Sequence, residues 1–437
     1  MMCAAPDQPT LEVKLEALQC HFTWDLNFSM PKLFSLRDRL QDIGTEEGYS
    51  WLGHIYNLQG YVHFRLGLPG DAQRFFGKAA EAFRQIRNTV SDEGAWLVVN
   101  HGNLAWLHYH NGEQAESQAH LLRVNALMRT YPSPSQDELH PEIYAERAWT
   151  LMNFGADKKS SAADFFQRAL RMQPDVVEWH TSHVLALVST SRKELGADIL
   201  DKMRIATEHD PDNLYLAALY LEARGKKGNR IGEEARELAR RVLRKPVSSY
   251  SGIEPLLRLY RMYVSMDEAI DLAEEVLERH PDERYLKRCA AFCYKSRILS
   301  DSDSPLERSI IVRAITLSKE VIPLYPHSSL KRKMDLANIY AKTNNQEKAD
   351  QIYEELLESG LDPEGAQILY NYYAKYLHFS RNETKKSIEY HMRAAEIPIP
   401  SHYREHSIKT LQRIRERNRN PMCGRISKFL AILPESE

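Results

Sequence analysis

The chain has little glycine or proline, few cysteines, no long apolar run and almost no net charge. With 19 glycines and 20 prolines in 437 residues, breaks are scarce, which suits an almost all-helical protein. No apolar stretch approaches the roughly 20 residues needed to cross a bilayer. The opening segment, MMCAAPDQPTLEVKLEALQC, carries neither a basic leader nor a long apolar core, so a soluble cytoplasmic protein without a membrane partner is expected. Cys3, Cys20, Cys289, Cys293 and Cys423 are an odd number without a close-spaced framework, the pattern of reduced thiols. Cys289 and Cys293 stand one helical turn apart, but no second pair of Cys or His completes a metal set, and packing explains them better. No metal or other cofactor is expected. A formal net charge of -2 excludes a uniformly basic nucleic-acid binder. There is also no glycine-rich phosphate loop, zinc-protease helix or nucleophile elbow, so no catalytic residue is assigned and no enzyme is expected. The 17 histidines are scattered; His101, His108 and His110 come nearest to a cluster, and packing is the reading for them.

What the chain does have is a repeat. Ser329 to Pro363 reads as a helix-turn-helix hairpin: Leu336, Ala337 and Tyr340 share one face, Asn344-Asn345 turns the chain, and Ala349, Tyr353 and Leu356 continue at helical spacing. Small Ala337 and Ala349 allow close approach, and the tyrosines fill the space beside it. This is the pattern of a tetratricopeptide repeat, whose period is about 34 residues. Recurrence supports it. Prolines at 174, 211, 246, 281, 326, 363 and 398 are spaced by 35 to 37 residues, apart from one interval of 45 that contains the polar stretch Ser300 to Pro305. Tyr56, Gly60, Gly67, Ala72, Phe76 and Ala79 fit the same template upstream. The fold class is all-α: a tetratricopeptide-repeat superhelix, an α-solenoid of helix-turn-helix repeats. A helix over residues 11 to 22 and another around Leu33, Leu36 and Leu40 open the chain. Three segments of one continuous superhelix are expected, with N-terminal helices and first repeats in 1–131, central repeats in 132–298 and C-terminal repeats in 299–437. A basic helix from Arg404 to Arg419 caps the last segment, followed by a short tail.

Charge alternates by helix. Arg258 and Arg261, then Arg284, Lys287, Arg288, Lys295 and Arg297, then Lys331, Arg332 and Lys333 lie on first helices, whereas Asp267 to Glu278 and Glu347 to Glu358 make second helices acidic. First helices line the concave side of such a superhelix, so a positive groove is expected on a nearly neutral protein, suited to a polyanion. Tyr250, Tyr260, Tyr263, Tyr285 and Tyr294 are interleaved with the cations, as in sites where rings stack bases and cations hold the backbone. A solvated basic face with core tyrosines is an equal alternative on the residues alone.

Cys20-His21-Phe22-Thr23-Trp24, GNLAW at 102–106, ERAWTLMNFG at 146–155 and DLANIYA at 335–341, in this order, resemble the interferon-induced proteins with tetratricopeptide repeats. The resemblance implies a cytosolic, interferon-induced antiviral effector. It would bind the 5′ end of non-self single-stranded RNA, carrying a triphosphate or an incompletely methylated cap, and block its translation without cleaving it. It also implies site residues: Arg39 for the terminal phosphates, Trp149 at the pocket, Arg261 for the backbone farther along. Asn153, Ser189, Glu254 and Pro255 replace the side chains the family pattern carries there, and Lys159, Arg192, Arg258 and Arg288 are the substitutes expected to supply charge. A homodimer or another family member is a further partner the resemblance implies. The alternative function is a protein-interaction scaffold in the interferon response without end-specific RNA binding.

Overall fold

The computed structural model describes residues 9–43, 50–87, 93–191, 195–300 and 306–433. Cys3, Arg192 and positions 301–305 of the polar insertion lie outside the described residues. Those that are described form α-helices, two single 3-10 turns and links, with no strand among them. The chain divides into two compact units, Met1–Val264 and Ser265–Glu437.

The first unit runs through α1 (Leu11–Glu16), α2 (Met30–Asp42), α3 (Leu52–Arg65), α4 (Pro69–Arg87), α5 (Val98–His110), α6 (Gln114–Thr130) and α7 (Pro141–Met152). It continues through α8 (Ala156–Met172), α9 (Val177–Thr190), α10 (Ala197–His209), α11 (Leu214–Lys226), α12 (Gly232–Val242) and α13 (Ile253–Tyr263). The second holds α14 (Met266–Arg279), α15 (Arg284–Leu299), α16 (Arg308–Leu324), α17 (Leu330–Lys342), α18 (Gln346–Glu358), α19 (Pro363–Phe379), α20 (Thr384–Glu396), α21 (His402–Arg417) and α22 (Cys423–Ile432).

The hairpin expected at 329–363 is α17 and α18, turned by Asn344 at φ 58°. Asparagine tolerates that left-handed backbone better than other residues with a Cβ. Tyr353 is fully buried there, its hydroxyl donating to Asn338 Oδ1 at 2.9 Å. The repeat prolines fall in the links after α8, α10, α12, α14, α16 and α20, where they cannot interrupt a helical ladder. Pro363 differs: α18 has already ended before Gly360 (φ 58°), and Pro363 is the first residue of α19, a position where its missing N–H costs nothing. In α3, Gly60 lies so close to Phe76 of α4 that a Cβ would stand 2.5 Å from the ring. The ring packs where a side chain would otherwise be.

Two expectations are corrected. The opening helix ends at Glu16, because Thr23 Oγ1 donates back to the Leu18 and Cys20 carbonyls at 2.7 and 3.0 Å and folds 17–24 into turns. The segment after Pro421, expected as a tail, forms α22, whose Ile426 is buried with Ile388 and Leu411. Phe429 and Leu430 extend that contact, and this apolar stripe is what makes the segment helical.

Candidate nucleic-acid interface

The Cys20–Trp24 turn ties the start of the chain to two later helices. His21 is fully buried: its backbone N–H donates to Asn103 Oδ1 at 3.1 Å, its Nδ1 lies 3.0 Å from Asn103 Nδ2, and its Nε2 lies 3.0 Å from Thr150 Oγ1. Burial lowers its pKa to about 3, so the ring is neutral. Burial likewise pushes the Cys20 thiol up to about 12, leaving it unreactive. Trp106 Nε1 donates to the Leu15 carbonyl at 3.1 Å and adds a third tie. The motif is therefore a clasp.

The clasp leads into α2, which buries Leu33, Leu36 and Leu40 and leaves Arg39 on its accessible side. Arg39 Nη2 donates to the Asn153 carbonyl at 2.7 Å, and Asn153 Nδ2 in turn donates to the Trp149 carbonyl at 3.1 Å. Lys159 of α8 belongs to the same cluster: burial lowers its pKa, and the Arg39 charge lowers it further. Desolvation by the surrounding chain also lowers Arg39, opposed by nearby Tyr250. Guanidinium remains charged at any physiological pH. Two cations held this close repel one another, and an anion placed between them relieves that repulsion. The loop bearing Tyr250 is fixed to α2 by the Ser249 N–H, which donates to the Asp42 carbonyl at 2.9 Å.

Beside this cluster is a cavity of about 480 Å³. Trp149 forms one wall, 97% of its surface removed from solvent and stacked on Trp51 at a centroid distance of 6.1 Å. Tyr250 also lines the cavity, and Glu178, Asp210 and Asp212 line it too. Glu178 accepts from Ser50 Oγ at 3.1 Å, Asp210 from Thr181 Oγ1 at 3.2 Å, and Asp212 pairs with Lys245 at 2.9 Å. The site is thus graded: cations at the Arg39 end, aromatic rings at the cavity, carboxylates on part of its lining. Such a gradient suits a ligand with phosphates at one end and a planar group bearing donors or positive charge at the other.

Of the sequence-derived site residues, Arg39, Trp149 and Lys159 come together. Arg258, on α13, is engaged instead with buried Glu222, Nη2 to Oε2 at 2.6 Å. Glu222 also holds Lys226 at 2.8 Å. Arg261 lies three residues on, in the last turn of α13. Arg288 lies in the second unit, where its guanidinium sits 5.1 Å from the centre of the Tyr285 ring. Arg192 is outside the described residues. The sequence reading missed Trp51, Glu178 and Glu222; nothing in their local sequence marks them, since each matters through a partner many residues away. Much of the charge alternation in the second unit closes on itself. Arg297 pairs with Asp267 at 2.9 Å, Lys287 with Glu320 at 3.1 Å, Lys295 with Asp335 at 2.9 Å and Arg313 with Glu274 at 2.8 Å.

The family description that matches the chain is the tetratricopeptide repeat, over residues 331–359, within α17 and α18. Two human structures match nearly the whole fold at 24% identity. The IFIT1 dimer with m7Gppp-AAAA has a TM-score of 0.68, covering 96% of each chain. The IFIT1 dimer with PPP-AAAA has 0.65, covering 97% of this chain and 96% of that one. These matches and the hairpins define the class: a tetratricopeptide-repeat helical solenoid. Within that class its curated relatives are interferon-induced proteins with tetratricopeptide repeats. Human protein IFIT1 homolog B is 24% identical over 439 residues, 95% of this chain and 90% of the relative. Interferon-induced protein with tetratricopeptide repeats 2 from Mus musculus is 26% identical over 423 residues, 93% and 87%.

Proposed function

We propose that this chain is an interferon-response effector that binds the 5′ end of non-self single-stranded RNA and blocks its translation in the cytoplasm without cleaving it. The observation that carries this reading is the placement of Arg39 and Lys159 beside the Trp149 cavity. The cations take the terminal phosphates, whether of a triphosphate or of a cap bridge. The cavity takes a planar group against Trp149, and Glu178 offers an acceptor for its edge or its charge. Arg261 follows the backbone farther along. Relatives named as antiviral effectors, and neighbours solved with capped and triphosphate oligonucleotides, support this reading.

A second reading, a protein-interaction scaffold, is favoured by one observation: several first-helix cations of the second unit already hold carboxylates. The deciding experiment is direct binding of the purified chain to one short single-stranded RNA bearing a 5′-triphosphate, a cap or a hydroxyl, at two salt concentrations. Tight, salt-sensitive, end-dependent binding is the expected result. Weak binding indifferent to the 5′ group would overturn the RNA reading and leave the scaffold.

A further inference from the structure

A cavity of about 320 Å³ in the second unit has no part in the RNA reading. It is walled by α19, α20 and α21, and its volume lies at the small-molecule end of ligand pockets. The ionisable groups lining it are Lys375 and His378 from α19, His391 from α20, and His406, Arg413 and Arg417 from α21; no carboxylate is among them. Carboxylates of the same region are held by other cations: Glu383 by Lys386 at 2.6 Å, Glu389 by Arg425 at 3.1 Å and Glu405 by Lys409 at 3.5 Å. Lys375 is half-buried, with the Tyr372 ring 5.9 Å from its ammonium. A partly desolvated lysine facing arginines and histidines lacks the anion that would offset its burial.

One inner histidine, His391, is set as a donor. Asn371 Nδ2 lies 3.1 Å from the Tyr403 carbonyl, which can only accept, so this face of the amide is the donor. The same nitrogen donates to Ser407 Oγ at 2.8 Å and approaches His406 Nδ1 at 3.1 Å. The Ser407 hydroxyl is then left to donate to His391 Nδ1 at 3.0 Å. His391 therefore accepts at Nδ1 and carries its proton on Nε2, whereas both Asn371 amide protons are committed to Tyr403 and Ser407, which leaves the His406 tautomer unassigned by this network. Burial, with like charge from Lys375 and neighbouring imidazoles, keeps both rings neutral. Thr384, the first residue of α20, also lines the cavity and brings the positive end of that helix to it. At the lip, the Phe379 ring is 78% exposed.

We infer that this cavity is a second anion site, which binds a small phosphate ester of nucleoside-monophosphate size. Lys375 and Arg413 neutralise the phosphate, His391 donates to its oxygens, and Phe379 offers a ring face to the planar base. The inference does not depend on the RNA reading, because the site shares no residue with the Arg39 cluster.

The test is calorimetric titration of the whole chain, at fixed ionic strength, with AMP, ribose 5-phosphate and adenosine. Variants are Arg413→Glu with Arg417→Glu, both exposed positions that leave the core intact, together with Phe379→Ala and Arg39→Glu. One saturable AMP site is expected, at least tenfold weaker in the arginine double variant, several-fold weaker in Phe379→Ala and unchanged in Arg39→Glu. Adenosine binds negligibly, and ribose 5-phosphate binds like AMP to Phe379→Ala. Absence of saturable AMP binding, or its loss in Arg39→Glu with retention in the double variant, would overturn the proposal. Displacement of AMP by 5′-triphosphate RNA from the Arg39→Glu chain would also overturn it, by assigning the cavity to an RNA strand.

Discussion

Arg39 has five N–H donors and commits one to the Asn153 carbonyl, so its guanidinium plane is already oriented in the unliganded chain. Pre-orientation of this kind lowers the ordering cost of binding. Arg39→Glu should weaken binding of 5′-triphosphate RNA by tenfold or more and flatten the dependence of log affinity on log salt by about one unit. Helicity and thermal midpoint should stay within error, and equal affinity in variant and parent would remove Arg39 from the site. A second residue-scale prediction concerns Glu146, in the ERAWTLMNFG stretch. It is buried, accepts from Asn57 Nδ2 at 2.8 Å, and burial raises its pKa to about 8. The folded state holds this proton where the unfolded chain has released it, so the contribution is full below about 4.5 and is lost as pH rises through 8. Glu146→Gln should therefore gain stability relative to the parent between pH 5.5 and 8.5, by an amount on the order of a few kcal/mol. Urea unfolding at the two pH values checks it, and a difference independent of pH would show that the carboxyl ionises freely. At this scale the sequence was readable only where a residue type matched a motif. Arg39, Trp149 and Lys159 lie near one another in the first unit. The pairing of Arg258 with Glu222 crosses 36 residues of chain and leaves no local trace.

Helices were far more legible, because each hairpin repeats the same physical solution: small residues where axes approach, rings beside them, a break at fixed spacing. The errors sit where that solution does not apply. Residues 17–24 have helical spacing of Leu15, Leu18 and Phe22, but Thr23 offers their carbonyls a competing hydroxyl, and His21 is drawn to Asn103. The segment after Pro421 is short and basic at its start, which hid the apolar stripe from Ile426 to Leu430. Gly60 gives this scale its test. Gly60→Val places a side chain against the Phe76 ring, 2.5 Å from the new Cβ, and should lower unfolding free energy by about 1–3 kcal/mol. Gly70→Ala, in α4 with no neighbour within 4 Å of a new Cβ, should leave it unchanged or slightly raised. If both variants behave alike, the α3–α4 contact is looser than described.

At the scale of the molecule, each of the two units has hydrophobic cores of its own. Tyr353, Leu369 and Tyr376 lie in one cluster of the second unit, and Ile388, Leu411 and Ile426 in another. Nearest-neighbour repeats derive stability from adjacent hairpins, so residues 265–437 produced alone should retain helical circular dichroism and unfold cooperatively on heating. A featureless, gradual loss of signal would mean that this unit depends on the first. The near-neutral total charge, read from the sequence as excluding a uniformly basic surface, is also explained at this scale. Ion pairs such as Lys295 with Asp335 and Arg313 with Glu274 join neighbouring helices, so much of the sign alternation is cohesion.

The His21 clasp has a consequence for how the chain is made. Its partners Asn103 and Thr150 lie 82 and 129 residues downstream, so the start of the chain has nothing to close on while those residues are still inside the ribosome. At about 5–20 residues per second, the first turns wait on the order of ten seconds after synthesis for their anchor. The repeats from α3 to α6 emerge and pair before then. The cluster around Arg39 needs Asn153 and Lys159 as well, so it is assembled only after those hairpins have formed, and a nascent chain cut short before residue 150 carries the guanidinium without the site.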